Sequence, residues 1–229
     1  MKKIIPSLVH LFFPSACMAC GETLMDQEKY LCTNCFHDIP LTNFHRHSEN
    51  PVAELFWGRV YLECATSLFF YSKGSRYQKM MFKFKYHGYK EVGFELGNYL
   101  GSYLNQSAFN DVDIIVPVPL HRKKMKKRGY NQSTWIAMGI ARAMQKPVNT
   151  SNLIRKTHSS TQTNKSRIER WMNVESIFDV QHSTEFQGKH ILLVDDVVTT
   201  GATLEACAQK IKAIPDTKVS VATLGVANN

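Results

Sequence analysis

The stretch ILLVDDVVTTGAT, residues 191–203, decides the fold of this chain. Its apolar start predicts a buried strand, which delivers two adjacent carboxylates, Asp195 and Asp196, at its carboxyl end. Small and hydroxyl-bearing residues then open a helix, whose amino-terminal end favours negative charge. Gly201 lets the backbone turn sharply and approach a ligand closely. The segment therefore predicts a phosphate site beside two carboxylates that can accept hydrogen bonds from the hydroxyls of a ribose.

Strand-like and helix-like runs alternate on both sides of this stretch. Apolar runs predict strands over residues 62–71, 112–118, 152–155, 190–194 and 219–226. Helical spacing of apolar residues predicts helices over residues 77–86, 94–104 and 131–144, and from about residue 203. Strands that alternate with helices imply a doubly wound parallel α/β sheet, in which a ligand lies at the carboxyl ends of the strands.

A second signal comes from four cysteines near the start of the chain. They form two Cys-x2-Cys pairs with eleven residues between them: Cys17, Cys20, Cys32 and Cys35. Zinc takes four such ligands in a tetrahedron, and a small segment can draw most of its folding energy from the metal. The pattern predicts structural Zn²⁺. Paired disulfides, which need an oxidising compartment, and a redox-active pair are the alternatives.

The composition suggests where the chain divides. We assign residues 1–45 to a small zinc-ribbon-like subdomain and residues 51–229 to the main α/β domain. The polar stretch 43–51, which ends in proline, is interpreted as the linker between them.

Bulk properties limit the partners and the compartment. The formal net charge of +9 favours phosphate-bearing partners, either nucleic acid or a phosphorylated metabolite, although a merely basic surface is also compatible. No apolar run reaches the roughly 18 residues of a transmembrane helix. Residues 2–13 resemble a short export signal, but Pro6 and His10 interrupt the apolar run. We therefore expect a mature N-terminal segment and a cytoplasmic protein.

Residues 191–203 resemble the signature of type I phosphoribosyltransferases. In that family the acidic pair binds the ribose 2′- and 3′-hydroxyls of 5-phosphoribosyl 1-pyrophosphate, usually with Mg²⁺. The resemblance implies that the 5′-phosphate is bound by Thr199, Thr200, Gly201, Ala202 and Thr203.

Further segments are similar to the ComF family, which is associated with DNA uptake in natural transformation. They are the four cysteines, FKYHG at 84–88, VPVPL at 116–120, RGYNQ at 128–132 and RWMNV at 170–174. The resemblance implies the type I phosphoribosyltransferase fold behind a zinc ribbon. It also implies binding of 5-phosphoribosyl 1-pyrophosphate and, as further partners, single-stranded DNA and the DNA-uptake machinery.

The same resemblance assigns two more loops. The loop after the first core strand would face the pyrophosphate through Pro119, Leu120 and Arg122. A basic run over residues 122–128 follows and could serve pyrophosphate, a nucleic-acid backbone or solvent alone. A mobile loop would bring Lys165, Arg167 and Arg170 to stabilise developing negative charge. The alternative for this second loop is a surface segment with helical Arg/Glu pairing.

Two functions follow from these patterns. The first is an enzyme that transfers phosphoribose, with release of pyrophosphate, to an acceptor that no residue pattern identifies. The second is a non-catalytic protein that handles single-stranded DNA and keeps the pocket as a ligand site. For it, basic residues are interleaved with Tyr86, Tyr89, Tyr130 and Trp135, which could stack on bases.

Overall fold

The computed structural model describes residues 15–156 and 177–227. Its helices are α1 Thr33–His37, α2 Pro51–Glu54, α3 Arg76–Tyr86, α4 Lys90–Leu104, α5 Arg122–Arg128, α6 Gln132–Met144 and α7 Ala202–Lys212. Its strands are β1 Ala65–Tyr71, β2 Ile114–Pro117, β3 Leu153–Arg155, β4 Phe178–Val180, β5 His190–Val198 and β6 Lys218–Ala227. Short 3₁₀ turns lie at Phe44–Arg46 and Ser183–Glu185.

A parallel sheet of four strands forms the centre of the molecule, in the order β1-β6-β5-β2. β3 and β4 form a separate antiparallel pair. The predicted parallel sheet is confirmed, and the end of β2 lies beside the middle of β5, because Pro117 is paired with Val194. Strand β5 continues beyond the predicted 190–194, because Asp195 and Val197 still pair with β6.

Helices cover both faces of this sheet. Alternate residues of β5 point into two different apolar clusters, since side chains of a strand alternate between its faces. Leu192 and Val194 pack in the cluster that contains the buried sides of α3, α4 and α6. Ile191 and Leu193 pack in the cluster that contains the buried side of α7. The sheet is therefore doubly wound, as predicted.

The sequence pattern predicted no helix over the basic run, but residues 122–128 form helix α5. Its start is capped by the His121 ring, whose Nδ1 accepts a hydrogen bond from the Lys123 N–H at 3.1 Å. Its end is set by Gly129, which has a φ of 80° and donates its N–H to the Met125 carbonyl. The periodicity of apolar residues misses this helix because none of its residues is buried.

The polar linker is also more ordered than its composition suggests. Asn50 is buried, and its side-chain oxygen caps α2 by accepting from the N–H groups of Val52 and Ala53. Its amide nitrogen donates to the Ala65 carbonyl at 3.0 Å, which ties the linker to the start of β1.

The cysteine segment packs on the main body. Residues 40–42 run antiparallel along the free edge of β1: the Thr42 N–H donates to the Leu68 carbonyl at 3.0 Å, and the Phe70 N–H to the Pro40 carbonyl at 2.9 Å. Three of the cysteines also share an apolar cluster with α3 and α4. The boundaries at residues 45 and 51 stay a prediction.

No helix within the described residues combines the length and the apolar character that crossing a membrane requires.

Candidate sugar-phosphate site and zinc centre

Asp195 is held by groups from two elements. The Ser133 hydroxyl, at the start of α6, donates to Asp195 Oδ1 at 2.8 Å, and the Asp196 N–H donates to the same oxygen at 2.8 Å. Burial, followed by the charge of Asp196, raises the pKa of Asp195 to about 7, although the Ser133 hydrogen bond opposes the shift. The carboxyl group can therefore exchange a proton near neutral pH.

This shift predicts a dependence of stability on pH. The folded state favours the protonated form of Asp195. The stability that this carboxyl group contributes is therefore complete below about pH 4 and is lost as the pH rises through about 7. Between pH 4.5 and 8 we expect wild type to lose stability relative to Asp195→Asn in urea unfolding. Asp179→Asn should run parallel to wild type over this range, because the Lys156 hydrogen bond lowers the pKa of Asp179 and its titration then lies below pH 4.5 in the folded and the unfolded state. Parallel pH curves for wild type and Asp195→Asn would contradict the assignment.

Two cations converge on Asp196. The Lys85 Nζ lies 3.2 Å from Asp196 Oδ1, and the Arg128 Nη1 lies 4.0 Å from Oδ2. Arg128 is fixed by a 2.7 Å hydrogen bond to the Gln132 side chain. Sequence reasoning assigned no role to Lys85 or Ser133, although FKYHG at 84–88 had marked the Lys85 segment.

The loop of residues 199–203 enters α7 as predicted. Gly201 has a φ of 75°, and an added Cβ would lie 3.0 Å from the Phe56 ring, so glycine suits this position on both counts. Thr199 and Thr200 are exposed. Asp195 and residues 197–204 line a cavity of about 50 Å³ beside the helix start.

Arg59 fixes the outside of this loop, a contact that the sequence did not reveal. Its guanidinium donates to the Thr200 carbonyl at 2.9 Å and to the Leu55 carbonyl at 2.9 Å. It also pairs with Glu205 in the first turn of α7. The loop is thereby held in shape before any ligand arrives.

The loop after β2 lies beside the acidic pair. The Val118 N–H donates to the Val194 carbonyl at 2.9 Å, which brings half-buried Pro119 and Leu120 to the same end of the sheet. Arg122 is exposed at the start of α5. Lys165, Arg167 and Arg170 lie outside the described residues, and their role stays a prediction.

The four cysteines of the N-terminal segment converge as one cluster. Their Sγ atoms all lie within 4.8 Å of one another, and those of Cys20 and Cys32 are 3.7 Å apart. Four thiolates at about 2.3 Å from a tetrahedral zinc lie about 3.8 Å apart, whereas a disulfide needs about 2.05 Å. The arrangement therefore fits zinc.

Backbone N–H groups favour the thiolate of one of these sulfurs, that of Cys17. Burial opposes the thiolate of Cys17, but N–H groups of Cys20, Cys32 and Ala19 outweigh it and lower its pKa to about 6. The Tyr77 hydroxyl donates to the Cys35 carbonyl at 3.0 Å, which fixes the cluster to the start of α3. Lys85 and Asp196 meet near the other end of that helix, about 13 Å along its axis.

Comparison with known proteins agrees with both parts of this description. Residues 131–226 match the family described as Phosphoribosyl transferase domain, and residues 8–45 match Double zinc ribbon domain. Competence protein F of Haemophilus influenzae is 32% identical over 111 residues, 48% of each chain. Competence protein ComFC of Bacillus subtilis is 29% identical over 139 residues, 61% of this chain and 55% of the relative. These matches support the resemblance to the ComF family.

The chain thus has the phosphoribosyltransferase-type fold behind a four-cysteine zinc ribbon. Its matches span about half the length of these two curated relatives. Among solved structures, the purine phosphoribosyltransferase from Pyrococcus horikoshii is 15% identical with a TM-score of 0.39. That alignment covers 59% of this chain and 75% of the other.

Proposed function

We propose that this ComF-like protein binds 5-phosphoribosyl 1-pyrophosphate at the carboxyl ends of β2 and β5. One observation carries the proposal: the acidic pair at 195–196 lies directly beside the loop that opens α7. Carboxylates accept hydrogen bonds from vicinal hydroxyls, and the start of a helix of this length suits a phosphate.

The proposed roles follow the geometry. Asp195 and Asp196 accept from the ribose hydroxyls, and residues 199–203 hold the 5′-phosphate through N–H and hydroxyl groups. The loop with Pro119, Leu120 and Arg122 faces the diphosphate. Mg²⁺ prefers oxygen ligands, so the hydroxyls and diphosphate of the ligand would hold it, with the acidic pair as the nearest oxygen-rich protein surface. It would supply charge neutralisation.

The proposed reaction is displacement of pyrophosphate from the ribose C1 by an acceptor. The chain would contribute position and electrostatics rather than a covalent nucleophile. Lys165, Arg167 and Arg170 are the candidates to stabilise the leaving charge. The names of the Haemophilus and Bacillus relatives support a role in competence, and we place that role in DNA uptake in the cytoplasm.

Calorimetric titration tests the binding step. Zinc-loaded protein is titrated with 5-phosphoribosyl 1-pyrophosphate and Mg²⁺. The control ligand is free ribose, which lacks the 5′-phosphate and the diphosphate. We expect micromolar affinity for the first and no detectable heat from the second. No binding of the phosphorylated ligand to folded protein would contradict the proposal.

The second candidate function, single-stranded DNA handling, is favoured by one surface. Phe82 and Tyr86 are exposed on α3 with ring centroids 4.9 Å apart, and Lys127 and Arg128 of α5 lie 5.2 and 5.1 Å from the Tyr86 ring centre. Exposed rings beside cations suit stacked bases and a phosphate backbone. Tyr130 does not belong to this surface, because it is half-buried and its hydroxyl donates to the Phe84 carbonyl.

A binding assay separates stacking from charge. With a fluorescently labelled oligothymidylate, we expect Tyr86→Ala to weaken binding about tenfold. The dependence of its affinity on salt concentration should be that of wild type. A second variant replaces four lysines with glutamine: Lys123, Lys124, Lys126 and Lys127. It should instead reduce the steepness with which log affinity falls against log salt concentration, by about 0.7 for each phosphate that the protein no longer neutralises. The control pair, Lys210→Gln/Lys212→Gln, lies on α7 and should bind like wild type. Equal binding by all variants would exclude this surface.

A further inference from the structure

Arg59 contacts the loop 199–203 from outside the cavity at the start of α7. The cavity is lined by Asp195 and the loop with its neighbouring residues, and Arg59 does not line it. Arg59 follows Phe56, which is buried in the same apolar cluster as Leu204 of α7. The turn that carries Arg59 is therefore fixed to the body of the protein, and Arg59 can act on the loop without touching a ligand.

Three acceptors hold the Arg59 guanidinium in one orientation. Its Nη1 donates to the carbonyls of Leu55 and Thr200, each at 2.9 Å, and its Nη2 pairs with the Glu205 carboxylate. A planar guanidinium presents its N–H groups in a rigid fork, so three contacts at once define the position of the Thr200 carbonyl. The compact ammonium of a lysine does not offer this geometry.

The direction of the Thr200 carbonyl determines which way the next N–H group points. The described residues contain no cis peptide bond, and the carbonyl and the N–H of a trans peptide point to opposite sides of the chain. The Gly201 N–H is therefore turned away from Arg59, toward the cavity. Within residues 15–156 and 177–227 it donates to no group of the chain. Glycine tolerates either orientation of this peptide, so the contact with Arg59 selects one of them.

Arg59 also controls a carboxylate near the same helix start. Glu205 lies in the first turn of α7, where the N–H groups that suit a phosphate also attract its negative charge. Its Oε2 pairs with Arg59, its Oε1 accepts from the Gln209 side chain at 3.2 Å, and Glu205 does not line the cavity. The ion pair thus neutralises a charge that opposes a bound phosphate and keeps that charge outside the cavity.

We propose that Arg59 is a positioning residue that prepares the loop 199–203 for a phosphate monoester. It turns the Gly201 N–H toward the 5′-phosphate and neutralises Glu205, and it makes no contact with the ligand. This inference rests on the proposed function, because it needs the 5′-phosphate on this loop. It adds to the site a residue that lies 141 positions from Thr200 in the sequence, in the turn that follows α2.

Nuclear magnetic resonance of ¹⁵N-labelled, zinc-loaded protein tests this role with ribose 5-phosphate as the ligand. In wild type we expect saturation with the ligand to move the Gly201 amide proton downfield, because it then donates to a phosphate oxygen. Arg59→Ala should weaken the affinity about tenfold and lose most of this downfield shift at saturation. The control Arg46→Ala removes an exposed arginine of the linker and should match wild type in both quantities.

Two further variants separate the orientation of the peptide from the charge. Arg59→Ala/Glu205→Gln also removes the carboxylate charge, so it should regain part of the affinity but not the downfield shift of Gly201. Arg59→Lys keeps a cation beside Glu205 but cannot hold both carbonyls and the carboxylate. It should bind with an affinity between those of wild type and Arg59→Ala, and with a reduced shift.

A folded Arg59→Ala that binds ribose 5-phosphate as tightly as wild type would overturn the proposal. A weaker affinity with the full wild-type shift of Gly201 at saturation would overturn it as well, because Arg59 would then support only the stability of the fold. Thermal melting checks the fold, and Arg59→Lys takes the place of the alanine variant if that variant does not fold. Wild type that binds neither ribose 5-phosphate nor 5-phosphoribosyl 1-pyrophosphate would instead contradict the proposed function itself.

Discussion

The double variant Asp195→Asn/Asp196→Asn is expected to lose at least about a hundredfold in affinity for 5-phosphoribosyl 1-pyrophosphate. Each carboxylate would accept charge-assisted hydrogen bonds from the ribose hydroxyls, and such bonds contribute about 1.5–3 kcal/mol each. Asparagine keeps the shape of the side chain but offers a weaker acceptor. It also leaves Lys85 and Arg128 without the carboxylate that now lies beside them.

Calorimetry with Mg²⁺ measures this loss. The matched control is Asp111→Asn/Asp216→Asn, which changes the net charge equally at two exposed positions outside the site. Unfolding curves of both double variants confirm that they fold. A double variant at 195 and 196 that binds within threefold of wild type would remove the acidic pair from the site.

The second large effect concerns the metal. We expect Cys17→Ser/Cys35→Ser to lose its zinc and to lower the midpoint of thermal unfolding by about 10 °C or more. Both cysteines are buried, and they share an apolar cluster with α3 and α4, so loss of the metal would loosen the packing of the body as well as the ribbon. A chelator should act on wild type in the same direction.

Metal content by atomic absorption and melting by circular dichroism measure both quantities. Cys64→Ser is the control, since Cys64 lies outside the cluster of four and should leave one zinc per chain. Full zinc content in the variant with serines at 17 and 35, or a melting temperature that a chelator leaves unchanged, would refute a structural zinc.

The zinc ribbon and the acidic pair could be predicted because each is encoded in a short segment of the sequence. The cysteine spacing and residues 191–203 each place chemistry within a short segment, so the zinc ribbon and the acidic pair could be proposed before the fold was known. The contacts that complete the site span long distances along the chain: Ser133 reaches Asp195 across 62 residues, and Arg59 reaches Thr200 across 141. Such pairs depend on how the helices pack, which periodicity does not reveal.

Helix α4 shows the same limit at an element boundary. The pattern predicted a start at residue 94, whereas the helix begins at Lys90 and includes Gly93. Glycine weakens a helix in isolation. Here a Cβ at Gly93 would lie 2.4 Å from the Phe84 ring, and one at Gly97 would lie 2.3 Å from the Ile136 carbonyl oxygen. Close packing against α3 and α6 thus selects glycine where helix propensity disfavours it.

The order of strands has a consequence for biosynthesis. Strand β6 lies between β1 and β5. The first strand of the sheet, β1, therefore pairs with its last strand, residues 218–227. While a ribosome makes the chain, the apolar β1 segment must wait for almost all later elements before it can be covered on that side. Contacts this distant in sequence form slowly, and exposed strands invite aggregation. Residues 40–42, which are already translated when β1 emerges, can shield its other edge during that interval.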